Sequence, residues 1–182
     1  MKNVFLSLLL ILSITSFAQE KLSTTSGHIK FFSSTPAEDI EANNYKVISK
    51  ITLSTGVLVF SVPMQSFEFK KALMQKHFNN KKFLNTKKFP KGKYKGTITN
   101  LSEIDFTKNG TYEALVVGNL TIHGVSNKVS EKITFTVKDG SIMGMTEFNI
   151  TLADFDVVFK KGKPSKNIAK TVKITAHLNY TK

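Results

Sequence analysis

Four histidines, His28, His77, His123 and His177, are the side chains of this sequence best suited to proton transfer or metal ligation. No two stand at i, i+2 on a strand or i, i+4 on a helix, the spacings that bring two imidazoles onto one ion, so no metal site is expected. Asp154 and Asp156 could be imagined as an acid/base pair, but carboxylates two apart on one strand more often mark a solvated edge or a turn. Cysteine is absent, which excludes a thiolate nucleophile, a disulfide and a lipid-modified cysteine. There is no G-x-S-x-G elbow, no H-E-x-x-H and no glycine-rich phosphate loop. The expectation is a non-enzymatic chain with no catalytic residue and no cofactor. His77 and His123 remain as candidate polar contacts, and as the two residues to mutate were the protein an enzyme acting on a molecule it binds.

The elements that would carry any site show a period of two, which places alternate side chains on opposite faces of a strand. It is cleanest over residues 128–138, where Val129, Ile133, Phe135 and Val137 alternate with Lys128, Ser130, Lys132, Thr134, Thr136 and Lys138. Residues 142–152 and the C-terminal stretch from Thr171 behave alike, and further strands read at 28–33, 45–53, 57–62, 93–100 and 112–122. That makes eight. Asp139-Gly140 is a hairpin signal because a tight turn needs positive φ there. Asn43-Asn44, Thr55-Gly56, Asn109-Gly110 and Gly124 with Ser126-Asn127 read as further turns. One segment departs from the pattern: Ser66 as cap, Glu68 in the first turn, then Phe69, Ala72, Leu73 and His77 at helical spacing up to Asn79-Asn80. Eight antiparallel strands with one apolar face can form a sandwich or close on themselves, and closure removes exposed edges. At that size a barrel is just wide enough to be filled by its own side chains or to hold one small ligand.

Lys2, an apolar run over residues 4–14 and Ser16-Phe17-Ala18 read as a signal peptide cleaved after Ala18. Residues 19–182 are then a single domain outside the cytoplasm, periplasmic or secreted. The 26 basic residues of the whole chain are all lysine, against 13 acidic ones. Ten of them (Lys70, Lys71, Lys76, Lys81, Lys82, Lys87, Lys88, Lys91, Lys93 and Lys95) fall between Phe69 and Ser102 with no acid among them, and Lys160, Lys161, Lys163 and Lys182 belong to a second basic stretch. Nucleic-acid recognition leans on arginine's planar fork and this chain has none, so no nucleic-acid partner is expected. Transient contact of lysines 70–95 with an anionic membrane surface is the better specific use of the charge.

The chain has 15 phenylalanines and no tryptophan. An apolar cavity can bind tightly without any motif: about 0.8 kcal/mol per buried methylene gives a twenty-carbon chain on the order of 16 kcal/mol, against an association cost of roughly 4–15 kcal/mol.

The stretch Gly118-Asn119-Leu120-Thr121-Ile122-His123-Gly124-Val125 closely resembles the G-x-L-T-I-H-G-V segment of the YceI-like family. Leu73-Met74-x-x-His77-Phe78, Phe83-Leu84, Phe89-Pro90 and Lys95-Gly96 follow the family's order around its helix, and Asn149 with Asp154-Phe155 is similar to its N-x-x-D-F-G. The chain departs from the pattern at Gln75-Lys76, where many relatives carry Arg-Asp, and at Asp156, where glycine is usual. The resemblance, from about Gly27 to the end, implies an eight-stranded antiparallel lipocalin-like barrel with one short helix near its mouth and an elongated lipid inside. The lining expected on the apolar faces is Leu58, Phe60, Phe69, Leu73, Phe78, Ile98, Leu120, Ile122, Ile133, Phe135, Phe148, Ile150, Ile174 and Leu178. The resemblance points to binding, storage or transport of a polyisoprenoid or quinone-like lipid; a homodimer is compatible with it. The alternative is a filled barrel serving as a ligand-free, stress-related adaptor.

Overall fold

The period-two stretches become strands of a single antiparallel sheet that closes. The computed structural model describes residues 20–158 and 164–181; the expected signal segment, residues 1–18, and Lys160, Lys161, Lys163 and Lys182 lie outside them. The strands are β1 (Lys21–Ser34), β2 (Asp39–Thr52), β3 (Val57–Pro63), β4 (Glu68–Phe69), β5 (Lys91–Ile98), β6 (Gly110–Ile122), β7 (Val125–Lys138), β8 (Ser141–Thr151) and β9 (Thr171–Tyr180). Their order is β1-β9-β8-β7-β6-β5-β3-β2-β4, and β1 also pairs with β2. The eight long strands therefore form a closed barrel, and the two-residue β4 pairs with β2 beyond the end of β3. One two-turn helix, α1 (Ala72–Asn79), lies between β4 and β5.

β1 and β2 run further than the alternation suggests because each changes its inward parity midway. In β1, Leu22 and Thr24 are buried, then Gly27 and Ile29; the register slips on both sides of Gly27. In β2, Ile40, Ala42 and Asn44 are buried, then Val47, Ser49 and Ile51. Such bulges interrupt a period of two without ending the strand. Asn43-Asn44 is accordingly inside β2 and not a turn. The fully buried Asn44 side chain donates to Pro63 O at 2.8 Å and accepts from Lys46 N–H at 2.9 Å, satisfying backbone groups that the bulge strips from the ladder. The connection is made instead at Thr35–Glu38, whose backbones exchange hydrogen bonds. Asp139 and Gly140 take φ of +49° and +81°, as a tight hairpin turn demands.

The helix starts later than its expected cap. Ser66 belongs to a 3-10 turn (Met64–Ser66), Glu68 and Phe69 pair with Asn43 and Ala42, and Lys71 precedes α1 without a side-chain cap. Its buried face also differs: Phe78 is inside with Met74 and Gln75 half-buried, whereas Leu73 is 62% exposed and His77 faces solvent. Phe78 decides the rotation, because its ring stacks on Phe31 at 5.8 Å and meets Phe67, Phe69 and Phe83 at 5.1–5.9 Å.

The two ends of the barrel are built differently. At the end holding the β2–β3 and β7–β8 turns, Leu22, Ile51, Leu58, Ile98, Phe135 and Leu178 are almost wholly buried. Phe135 meets Phe106 at 5.2 Å and Tyr180 at 6.1 Å, and Tyr180 Oη hydrogen-bonds Ser49 Oγ at 2.8 Å. This is a packed floor. At the other end the phenylalanine cluster around α1 forms a lid.

Candidate functional site: a cavity between floor and lid

Between floor and lid the lumen is hollow. The cavity measures about 180 Å³ and opens to solvent.

Of the fourteen expected lining residues, eight lie on this cavity: Phe60 on β3, Leu120 and Ile122 on β6, Ile133 on β7, Phe148 and Ile150 on β8, Ile174 on β9, and Phe78 from the lid. Six do not. Leu58, Ile98, Phe135 and Leu178 lie on the correct faces but at floor level, buried against one another's neighbours. Alternation fixes which face a residue takes and says nothing of its height. Phe69, held in β4, packs on the outer part of the lid against Phe31 and Phe78. Leu73 points to solvent because α1 is turned by Phe78.

The two candidate histidines are outside the cavity. His77 is exposed on α1. His123 has φ +53° and with Gly124 (φ +83°) makes the tight β6–β7 turn. Its Nδ1 lies 3.3 Å from Phe155 O and its ring meets Phe89 edge-on at 4.8 Å. A Cβ on Gly124 would come within 2.5 Å of the Phe89 ring. The His-Gly pair thus holds the β6–β7 turn against the segments that frame the lid end. Asp154 and Asp156 belong to a second such segment: Leu152–Phe155 form a 3-10 turn, and Asp156 adopts the left-handed conformation (φ +56°) that receives its end, a position glycine fills without cost. Among the described residues no three His, Asp or Glu side chains gather as a metal site.

Other lining residues were not expected, including Phe31, Val62, Met64, Phe67, Tyr94, Glu131 and Thr146. Phe31 follows the parity change in β1, which no alternation reveals. Glu131 was legible: it occupies the apolar parity of β7, between Val129 and Ile133. Burial raises its carboxyl above the ordinary carboxylate value. Burial, and then the nearby Glu131 charge, pushes the Tyr94 hydroxyl up to about 12. The wall is open beside Glu131. β7 and β8 are paired only from Thr134↔Met145 to Lys138↔Ser141, although both continue toward the lid. Thr146 Oγ1 donates to Lys132 O at 2.7 Å at the lower edge of this gap, and Asn127 Nδ2 donates to Asp154 O at its upper edge.

All ten lysines between Lys70 and Lys95 are exposed, on and around α1 and along β5. Lys71 pairs with Glu38 at 2.9 Å and Lys88 lies 5.1 Å from the centre of the Phe89 ring.

The fold recurs in solved structures. It overlays a polyisoprenoid binding domain from Saccharophagus degradans, implicated in plant cell wall breakdown, with a TM-score of 0.73 at 15% identity, over 88% of this chain and 96% of that one. BcnA of Burkholderia cenocepacia matches with a TM-score of 0.66 at 16% identity, over 86% and 96%. In sequence, a UPF0312 protein of Shewanella denitrificans is 28% identical over 125 residues, 64% of this chain; the chain spans 60% of that relative's length. The YceI-like domain model matches residues 12–180, from before β1 to the last residue of β9, and this chain belongs to the YceI-like domain family.

Proposed function

We propose that this protein binds and carries one long apolar lipid, of the isoprenoid or quinone-tail class, in the cavity between floor and lid, without altering it chemically. The observation that supports this most is the hollow itself: a closed sheet whose inward side chains are almost all apolar, packed solid at one end and open over about 180 Å³ at the other. A packed core has no reason to leave such a space, since each void forfeits contact energy. The likeness in fold to a domain that binds polyisoprenoids supports the choice of ligand class.

The N-terminal apolar segment supports action outside the cytoplasm, periplasmic or secreted. The lysine collar, with Leu73 exposed among Lys70, Lys71 and Lys76, supports docking on anionic membranes while lipid is exchanged. Organic extraction of protein purified from its native source, followed by mass spectrometry, tests the proposal. One long-chain lipid in stoichiometric amount is expected. An empty extract, together with no uptake of added isoprenoid, overturns it.

A further inference from the structure

Two polar groups at the cavity, one of them wholly buried, have no hydrogen-bond partner among the described residues. Tyr94 Oη is, among the described residues, the one buried side-chain polar atom without a hydrogen bond. Glu131 faces the same cavity from β7, and among the described residues no hydrogen bond or ion pair reaches its carboxylate. A buried polar group left unsatisfied destabilises a fold unless something else satisfies it. The local backbone sets these groups in one region of the wall. Gly96 and Gly118 are Cα partners, and the Tyr94 ring folds over Gly96, where a Cβ would come within 2.3 Å of the hydroxyl. Gly118 in turn pairs with Val129, two residues from Glu131, so no side chain on β6 at that level screens one group from the other.

We propose that Tyr94 and Glu131 form a recognition site inside the cavity for a neutral oxygen function, a hydroxyl or carbonyl, on the lipid that fills it. This rests on the lipid-binding reading above and narrows it to a class of lipid. The tyrosine hydroxyl donates to that oxygen. Glu131 accepts from a hydroxyl or, when protonated, donates to a carbonyl. An anionic head is disfavoured at this depth. It would meet the glutamate's own charge, and although Lys93 borders the cavity it is exposed on β5, whose alternation puts Gly92, Tyr94 and Gly96 inward. The other lysines of this region lie outside, around the lid.

The test uses the delipidated full chain and three tail-matched probes, hexadecane, hexadecanol and hexadecanoate, each competed against a fluorescent apolar probe. The alcohol-to-alkane affinity ratio is expected to fall about tenfold in Tyr94→Phe and in Glu131→Leu, the worth of roughly one hydrogen bond. Glu131→Gln is expected to change hexadecanoate in the opposite sense, raising its affinity by removing the repulsion. Tyr94→Phe removes a single oxygen, so it carries the test should a Glu131 variant fail to fold. Alkane and alcohol both bound, with a ratio that neither substitution moves, overturns this inference and leaves the carrier reading standing. Failure of every probe to bind overturns this inference, and failure of added isoprenoid to bind as well, with an empty native extract, overturns both.

Discussion

Enlarging one side chain separates a hollow barrel from a filled one, because the two respond with opposite signs. Val62 is half-buried on β3, lines the cavity, and pairs directly with Gly92, which offers no side chain beside it. Val62→Phe adds four carbons to a lumen of about 180 Å³. Those carbons displace an equal length of lipid. At about 0.8 kcal/mol per methylene the ligand loses roughly 3 kcal/mol, or about two orders of magnitude in Kd. The free protein should hold its stability or gain slightly, since the ring covers apolar wall that was bare. In a filled core the same change overpacks and costs about 1–3 kcal/mol. The matched control is Ala114→Leu, at a fully buried position away from the cavity lining, which should lose about 1–3 kcal/mol of stability and leave lipid affinity near the native value. Competition against a fluorescent isoprenoid gives the affinities, and urea unfolding gives the stabilities. A Val62→Phe protein that unfolds more easily and binds lipid as tightly as the parent would refute the hollow.

Removing the floor should lengthen the cavity: Phe135→Ala at a wholly buried site is expected to cost about 3–5 kcal/mol in denaturant unfolding and to shift the preferred chain length upward in a competition series. Glu131 sets a pH dependence of known sign. Its carboxyl titrates above the ordinary 4.5 because it is buried, so the folded state holds the proton longer than the unfolded state. Stability is therefore unaffected by this group below the unfolded value and is lost as pH rises through the folded one. Glu131→Gln should match the parent in acid and exceed it in urea midpoint at neutral pH; a gain that is the same at both would contradict the assignment. Reversing Lys81, Lys82, Lys87 and Lys88 to glutamate should weaken binding to anionic vesicles by about 1 kcal/mol per removed lysine contact, an effect that disappears on zwitterionic vesicles and in high salt.

Much of this molecule is written in its residue order. The strands with undisturbed alternation, β6 to β9, could be placed nearly residue by residue, since a half-buried sheet forces apolar side chains onto every second position. The Asp139-Gly140 turn follows from residues that tolerate positive φ, whereas the turn expected at Gly124 with Ser126-Asn127 is made by His123-Gly124, and Ser126 and Asn127 pair within β7. Even Glu131, an acid on the greasy parity of β7, was visible as an exception. What the chain order could not supply was height and rotation. Ile133 and Phe135 share a face, yet one lines the hollow and the other plugs the floor, because Phe106 and Tyr180 close on Phe135 from distant parts of the chain. Leu73 and Phe78 both belong to an amphipathic helix, and the rings of Phe31, Phe67 and Phe69 decide which of them turns inward. Periodicity is local and one-dimensional, whereas whether a barrel is hollow depends on the volumes that residues far apart in sequence bring to the same level. Only the closed sheet brings them there.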